Sequence, residues 1–243
     1  MLPTSAEIIS LAKQLHLGVL SRGKFSPAGD LNNEAYLLEM LRSEVESRDK
    51  RAEAERMKQA RLPTFKGFDE FDTDFQKGIS REQLDTLARL EWLDAAFNLV
   101  LIGPPGTGKT HLALAIGNKA VREGYKVFFA SMDVLMHILK TQEISVKSAA
   151  RIRWIAKCDL IIIDEVGYLP VSRTEANLFF GLIAQLYESA SVVITSNKGF
   201  EGWAELLGDP VLATALLDRL THKCQVLDFN DVSWRLAHRE QIF

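Results

Sequence analysis

Residues 99–110 read Leu-Val-Leu-Ile-Gly-Pro-Pro-Gly-Thr-Gly-Lys-Thr. A short apolar run passes directly into G-x-x-x-x-G-K-[ST], the phosphate-loop pattern, with no mismatch. Glycines let the backbone fold around phosphate oxygens so that its N–H groups point inward. A helix expected over His111 to Arg122 adds its N-terminal dipole. Gly103, Pro104, Pro105, Gly106, Thr107, Gly108 and His111 are therefore expected to cradle the phosphates of ATP. Lys109 is expected to neutralise the β- and γ-phosphates, and Thr110 to place a hydroxyl on Mg²⁺.

Outward from this loop the chain alternates strands and helices. Further strands are expected over Lys126–Ala130, Asp159–Ile163, Val192–Thr195 and Val226–Phe229, with Leu99–Ile102 as the first. They are short, β-branched and apolar with little alternation, which suits strands buried on both faces. The clearest helix is Thr174–Glu188, with Leu178, Phe179, Leu182, Ile183 and Leu186 on one face. Such βα alternation implies an α/β fold with a five-stranded parallel sheet flanked by helices. Ligands then bind beyond the carboxyl ends of the strands, where each of the motifs falls.

The second motif is Asp164-Glu165, closing the run Leu160-Ile-Ile-Ile. Acidic groups ending a buried apolar strand are costly unless a cation compensates them. Mg²⁺ held through water by Asp164 is the natural compensation, and Glu165 then polarises an attacking water. At the end of a neighbouring strand, Asn197 is expected to hold that water from the opposite side, with Thr195 and Ser196 as alternatives. Asp218-Arg219 reads either as a surface ion pair or as an arginine finger completing a neighbouring subunit's site. Arg235, in Ser233-Trp234-Arg235, is a second candidate cation. Cys158 and Cys224 match no metal-ligand spacing and read as small core residues.

The 243 residues carry a net charge of −3 and are 47% hydrophobic and 25% charged. That balance excludes wholesale disorder. It also argues against unaided, tight DNA binding, so any nucleic-acid role must come from a local patch or from many subunits together. No apolar run approaches the ~20 residues of a membrane helix, and no secretion signal opens the chain. A cytoplasmic protein without a membrane partner is expected.

Upstream, Ser5 to His16 places Ile8, Ile9, Leu11, Ala12 and Leu15 on one helical face, with Ser5 as N-cap. A loop, SRGKFSPAGD, precedes a long helix over Asn33–Leu62. Leu37, Leu38, Leu41 and Val45 lie on its first half. Glu44/Arg48, Glu46/Lys50 and Arg51/Glu55 are pairs at i,i+4. Pro63 ends the helix, and RLPTFKGFDEFD reads as a linker. The expected division is a helical domain or docking arm at 1–62 and an ATPase domain at 63–243.

The series GPPGTGKT, IIIDE, ITSN and LLDRL resembles an AAA+ ATPase of the initiator/helicase-loader branch. More closely, GPPGTGKTHLALAIG, DEVGYLPVSRTEANLFFGLIAQLYE, VVITSNKGFEGWAE and LLDRLTHKC resemble IstB-type transposition helper ATPases of insertion sequences. The resemblance implies Walker A at Lys109 and Thr110, Walker B at Asp164 and Glu165, sensor 1 at Asn197 and a finger at Arg219. Two features depart from the family pattern: only Asn230 to Phe243 follow the last expected strand, so the lid domain of a full AAA+ module is expected to be absent or vestigial, and Ser-Trp-Arg stands where the family has Ser-Tyr-Arg. The resemblance further implies oligomers, in rings or filaments, on double-stranded DNA, and a cognate transposase as partner. Lys140, Lys147, Arg151, Arg153 and Lys157 lie in a region that faces the ring centre in similar ATPases. They are expected to meet DNA phosphates without reading sequence, unless they belong to an ordinary solvated helix. A DnaC-type helicase loader shares the chemistry. A metabolite kinase or a non-hydrolysing nucleotide switch shares the loop, but the Asp-Glu pair and Asn197 suit a water nucleophile.

Overall fold

The computed structural model describes residues 5–23, 33–168, 171–230 and 232–237. Most of the loop expected at 21–30, and the Ser5 side chain expected as a cap, lie outside the described residues. The chain divides into two compact units, Met1–Glu55 and Arg56–Phe243.

The first unit holds α1 (Ser5–Gln14), α2 (Gly18–Ser21) and most of α3 (Asn33–Ala60). The expected apolar face of α1 buries Ala12 but leaves Ile8, Leu11 and Leu15 exposed, as are Leu37, Leu38, Leu41 and Val45 of α3. Of the expected ion pairs, Glu46–Lys50 forms at 2.5 Å. Glu44 and Arg48 do not pair. Glu44 is 3% exposed, and its Oε1 accepts the N–H groups of Val19 and Leu20 at 2.6 and 2.9 Å. The physical reason is the turn at His16, whose φ is +56°. It presents the open N–H groups of α2, which has no side-chain cap, to a carboxylate that satisfies them. Arg48 donates to the His16 carbonyl instead, and Arg51 to Ser47 Oγ.

The second unit is built on β1 (Asn98–Ile102), β2 (Val127–Ser131), β3 (Leu160–Val166), β4 (Ser191–Ser196) and β5 (Cys224–Asp228). All pairings are parallel, in the order β2-β3-β4-β1-β5. One face, with Val100, Ile161, Ile163, Val192 and Ile194, packs against α7 (Met132–Thr141), α8 (Val146–Ile155), α9 (Arg173–Leu186), α10 (Trp203–Leu207) and α11 (Pro210–Thr221). The other face, with Leu99, Leu101, Leu160, Ile162 and Val193, packs against α6 (Lys109–Arg122) and α4 (Arg81–Arg89). Two short helices, α5 (Glu91–Asp94) and α12 (Trp234–Ala237), complete the unit. Cys158 is buried and Cys224 partly so; burial pushes their thiols up to about 12 and about 11, which keeps both neutral.

The long helix stops at Ala60, two residues short of the expected end. Arg61 turns left-handed at φ +59°, and Leu62, before Pro63, is disfavoured in helical geometry. β3 runs three residues past its expected end, through the acidic pair. Helix α9 opens with a capping box in which Ser172 and Glu175 satisfy each other's backbone N–H. The Ser172 hydroxyl, then the Ser172 N–H and Lys140, bring the Glu175 carboxyl from 4.5 to about 2. On acidification the unfolded chain takes up that proton first, so this contribution to stability is full above pH about 4.5 and fades toward about 2. Urea midpoints should therefore fall between pH 5 and pH 3, and Glu175→Gln should flatten that fall.

Candidate functional site

The phosphate loop follows β1 and ends in the first turn of α6. Gly103 has φ +147°, and a Cβ there would strike the Phe229 carbonyl. Glycine is thus required where β1 leaves the sheet beside fully buried Phe229. Thr107 is buried and its hydroxyl donates to the Pro104 carbonyl at 2.9 Å, closing the loop. Lys109 is 8% exposed. Its ammonium donates to the carbonyls of Gly103 and Pro104 at 2.7 and 2.6 Å. Burial lowers its pKa, Asp164 opposes that shift and Arg235 adds to it. A charged group so placed gains more from anionic oxygens than from neutral carbonyls.

Sheet order explains how distant motifs meet. β4 lies between β1 and β3, so the loop, the acidic pair and the end of β4 share one rim. The register of β3 and β4 slips between Ile163 and Val166, and Glu165 has φ +63°. Bulges and left-handed non-glycine residues gather at functional sites because they re-aim side chains at a cost. Here Thr195 holds the bulge. Its Oγ1 accepts the Glu165 N–H at 2.9 Å and donates to Asp164 Oδ1. Thr110 Oγ1 donates to the same Asp164 oxygen at 3.0 Å. Asp164 and Thr195 are buried while Glu165 is exposed. The hydroxyl of Thr110 and the carboxylate of Asp164 form an oxygen-only donor pair, which fits Mg²⁺ bound jointly with phosphates.

These groups open into a cleft of about 680 Å³ that Gly106, Gly108, Lys109, Thr110, Glu165 and Asn197 help to line. Asn197 immediately follows β4, and the Gly167 turn approaches it so closely that a Cβ would lie 3.2 Å from Asn197 Oδ1. His111 also lines the cleft; burial lowers its pKa below the ordinary 6.5, which favours the neutral ring.

Sequence reasoning missed one wall. Residues 61–72 read as a linker, yet Pro63, Thr64 and Phe71 line the cleft, as does Gln76 just beyond. Asn118 ties this segment to α6 by donating to the carbonyls of Thr64 and Lys66, both at 3.3 Å. Phe71 packs edge-on to His111 at 5.5 Å. Three phenylalanines in a dozen residues, Phe65, Phe68 and Phe71, are the signal that could have found it. The segment after β5 also returns to the site. The Trp234 N–H donates to the Gly106 carbonyl at 2.9 Å, and Arg235 lines the cleft.

Two expected groups lie elsewhere. Arg219 does not line the cleft of its own chain. Its guanidinium sits 4.8 Å from the Phe180 ring centroid and donates to the Ala215 carbonyl at 2.8 Å. The basic residues around α8 separate into three kinds. Lys140 pairs with Glu175 at 3.0 Å. Arg151 is turned onto the Phe128 ring at 5.0 Å, and burial lowers its pKa. Lys147, Arg153 and Lys157 are exposed.

A parallel sheet in this order, with a phosphate loop, an acidic strand end and an adjoining polar strand end, defines a P-loop nucleotide-binding fold of the AAA+ class. The sequence profile of the IstB-like ATP binding protein family matches residues 19–242. The chain is 40% identical over 236 residues to the insertion sequence IS21 ATP-binding protein of Pseudomonas aeruginosa, covering 96% of this chain and 89% of that protein. It is 34% identical over 231 residues to the insertion sequence IS5376 ATP-binding protein of Geobacillus stearothermophilus, covering 93% and 92%. It belongs to the IstB-like family of insertion-sequence ATP-binding proteins. The DnaC helicase loader shares the fold, with a TM-score of 0.55 at 19% identity over 68% of this chain and 96% of that one. Among the described residues no helix is long and apolar enough to cross a membrane.

Proposed function

We propose that this chain is an ATP-hydrolysing transposition helper that assembles on duplex DNA and delivers target DNA to its element's transposase. The observation that carries the reading is the bridge from Thr110 through Asp164 and Thr195 to the Glu165 backbone, beside a cleft that Lys109, Thr110, Glu165 and Thr195 line. Lys109 and the loop N–H groups bind the triphosphate. Thr110 and Asp164 hold Mg²⁺, which when bound neutralises charge on the β- and γ-phosphate oxygens. Glu165 orients and polarises water, and Asn197 holds that water from the side. Arg235, which lines the same cleft as Lys109, adds a cation toward the phosphates.

Arg219 completes the site of an adjacent copy, so ATP sits at a head-to-tail seam. Such seams close into rings or extend into helical filaments. DNA contacts fall to Lys147, Arg153 and Lys157. Many weak contacts summed over subunits reconcile firm binding with a net charge of −3. The helical arm at 1–62 is the docking element for the transposase or DNA, and the ATPase domain spans 63–243.

Electron microscopy of the protein with duplex DNA tests this directly. Ordered assemblies should require ATP. Lys109→Ala should weaken ATP binding at least ~100-fold, since it removes a buried, charge-assisted hydrogen-bond donor to the phosphates, and should abolish the assemblies. Normal ATP affinity in Lys109→Ala, or assemblies indifferent to ATP, would refute the proposal.

A further inference from the structure

Strand β4 ends in two buried hydroxyl residues, Thr195 and Ser196, 2% and 1% exposed. Opposite them β3 carries one residue too many. Ile163 lies against Ile194 and Val166 against Ser196, so Asp164 and Glu165 together face Thr195 alone. Such two-against-one insertions are uncommon in parallel pairs. This one also holds Glu165 at φ +63°, a left-handed backbone that a non-glycine residue adopts only at a cost. The ladder cannot hold that conformation, because the extra residue is left out of it.

The Thr195 side chain does hold it. A hydroxyl offers one donor and two acceptor positions. Thr195 Oγ1 gives its proton to Asp164 Oδ1 and accepts the Glu165 N–H at 2.9 Å. The N–H that the bulge releases from the ladder is thereby satisfied. The same Asp164 oxygen accepts the Thr110 hydroxyl at 3.0 Å. A β-branched side chain with a restricted χ1 keeps Oγ1 in place. One buried atom therefore ties the Glu165 backbone to the carboxylate that faces the phosphate loop. The Glu165 side chain itself is exposed and lines the cleft with Lys109. Without the bulge Glu165 would fall opposite Ser196, and a one-residue slip reverses the face that a side chain occupies.

We infer that Thr195 is the positioning residue for Glu165: its single hydroxyl holds the bulge that aims the Glu165 carboxylate into the cleft. The inference rests on the reading of Glu165 as the group that polarises water, and adds what aims it. In this role Thr195 acts through Glu165 and not on water or phosphate. A hydroxyl that served only the metal-binding carboxylate of Asp164 would behave differently, and the two roles can be separated.

The test compares two variants of the full chain with ATP, Mg²⁺ and duplex DNA. Thr195→Val has nearly the same shape but no hydroxyl, and Thr195→Ser keeps both hydrogen bonds. Thr195→Val should leave ATP affinity within a few-fold of wild type and lower kcat about 10²-fold, the effect of roughly 1 Å of misplacement. Thr195→Ser should turn over at least about ten-fold faster than Thr195→Val. In a Glu165→Gln background, Thr195→Val should lower turnover no more than about two-fold further, because residues that act as a unit are not additive. Without nucleotide, the Glu165 amide should exchange with deuterium at least about ten-fold faster in Thr195→Val than in wild type, a readout that needs no turnover. Thr195→Ala removes the same hydroxyl without setting a methyl against the carboxylate, and repeats each comparison if Thr195→Val does not fold. Wild-type turnover or unchanged amide exchange in the variant lacking the hydroxyl overturns the inference. So does equal turnover of Thr195→Ser and Thr195→Val, or a further loss of about 10²-fold in the Glu165→Gln background. Recovery of Thr195→Val at saturating Mg²⁺ also overturns it and assigns Thr195 to the metal site alone. Ordinary turnover in Glu165→Gln by itself defeats the earlier reading of the base instead, which that single variant reports separately.

Discussion

Arg219→Ala should lower ATP turnover about 10³–10⁵-fold while leaving ATP binding within a few-fold of wild type. In its own chain the guanidinium lies over Phe180 and donates to the Ala215 carbonyl, apart from the cleft that Lys109 and Glu165 line. If Arg219 adds positive charge to a transition-state phosphate, as proposed, it does so in the site of the next copy. The consequence is complementation. Arg219→Ala and Glu165→Gln proteins, each inactive alone, should regain turnover when mixed, because some seams then pair an intact Glu165 with an intact Arg219. The check is phosphate release against mixing ratio. Full activity of Arg219→Ala in dilute solution, where copies are separate, would end the shared-site reading.

Glu165→Gln should reduce turnover about 10²–10⁴-fold, the range for loss of a positioned general base, with ATP affinity nearly unchanged. Glutamine keeps the side-chain shape, and the backbone N–H still donates to Thr195. Only the capacity to polarise water is removed. If hydrolysis ends the assembly, complexes of this variant with duplex DNA should outlive those of wild type by a similar factor. Dissociation timed after dilution decides the matter. Ordinary turnover in Glu165→Gln would move the base elsewhere in the cleft.

How far the residues reveal the site depends on the range of the interaction. The phosphate loop is local: eight consecutive residues specify its glycines, lysine and hydroxyl, and the structure closes them as the pattern requires. Asp164 and Glu165 are also legible, because a carboxylate pair closing a four-residue apolar run has few other uses. Along the chain, Thr195 reads only as an alternative to Asn197. Its bridge between the Asp164 carboxylate and the Glu165 N–H depends on the bulge in β3. A bulge is a register event between strands about 30 residues apart, and no local pattern encodes it. Glu44 repeats the lesson: its i,i+4 partner is correctly spaced, but a turn at His16 offers it two N–H groups instead.

By itself the order of residues determined the α/β class, the triphosphate-binding loop, the acidic pair and the family, because each is written in short-range pattern and composition. Only the folded chain decided that residues 63–76 wall the cleft, that Arg235 joins Lys109 while Arg219 does not, and that Arg151 turns inward while Lys147, Arg153 and Lys157 face water. Those outcomes are fixed by which faces are left to pack once the sheet has formed. Packing joins residues far apart in the chain, so it cannot be read along it.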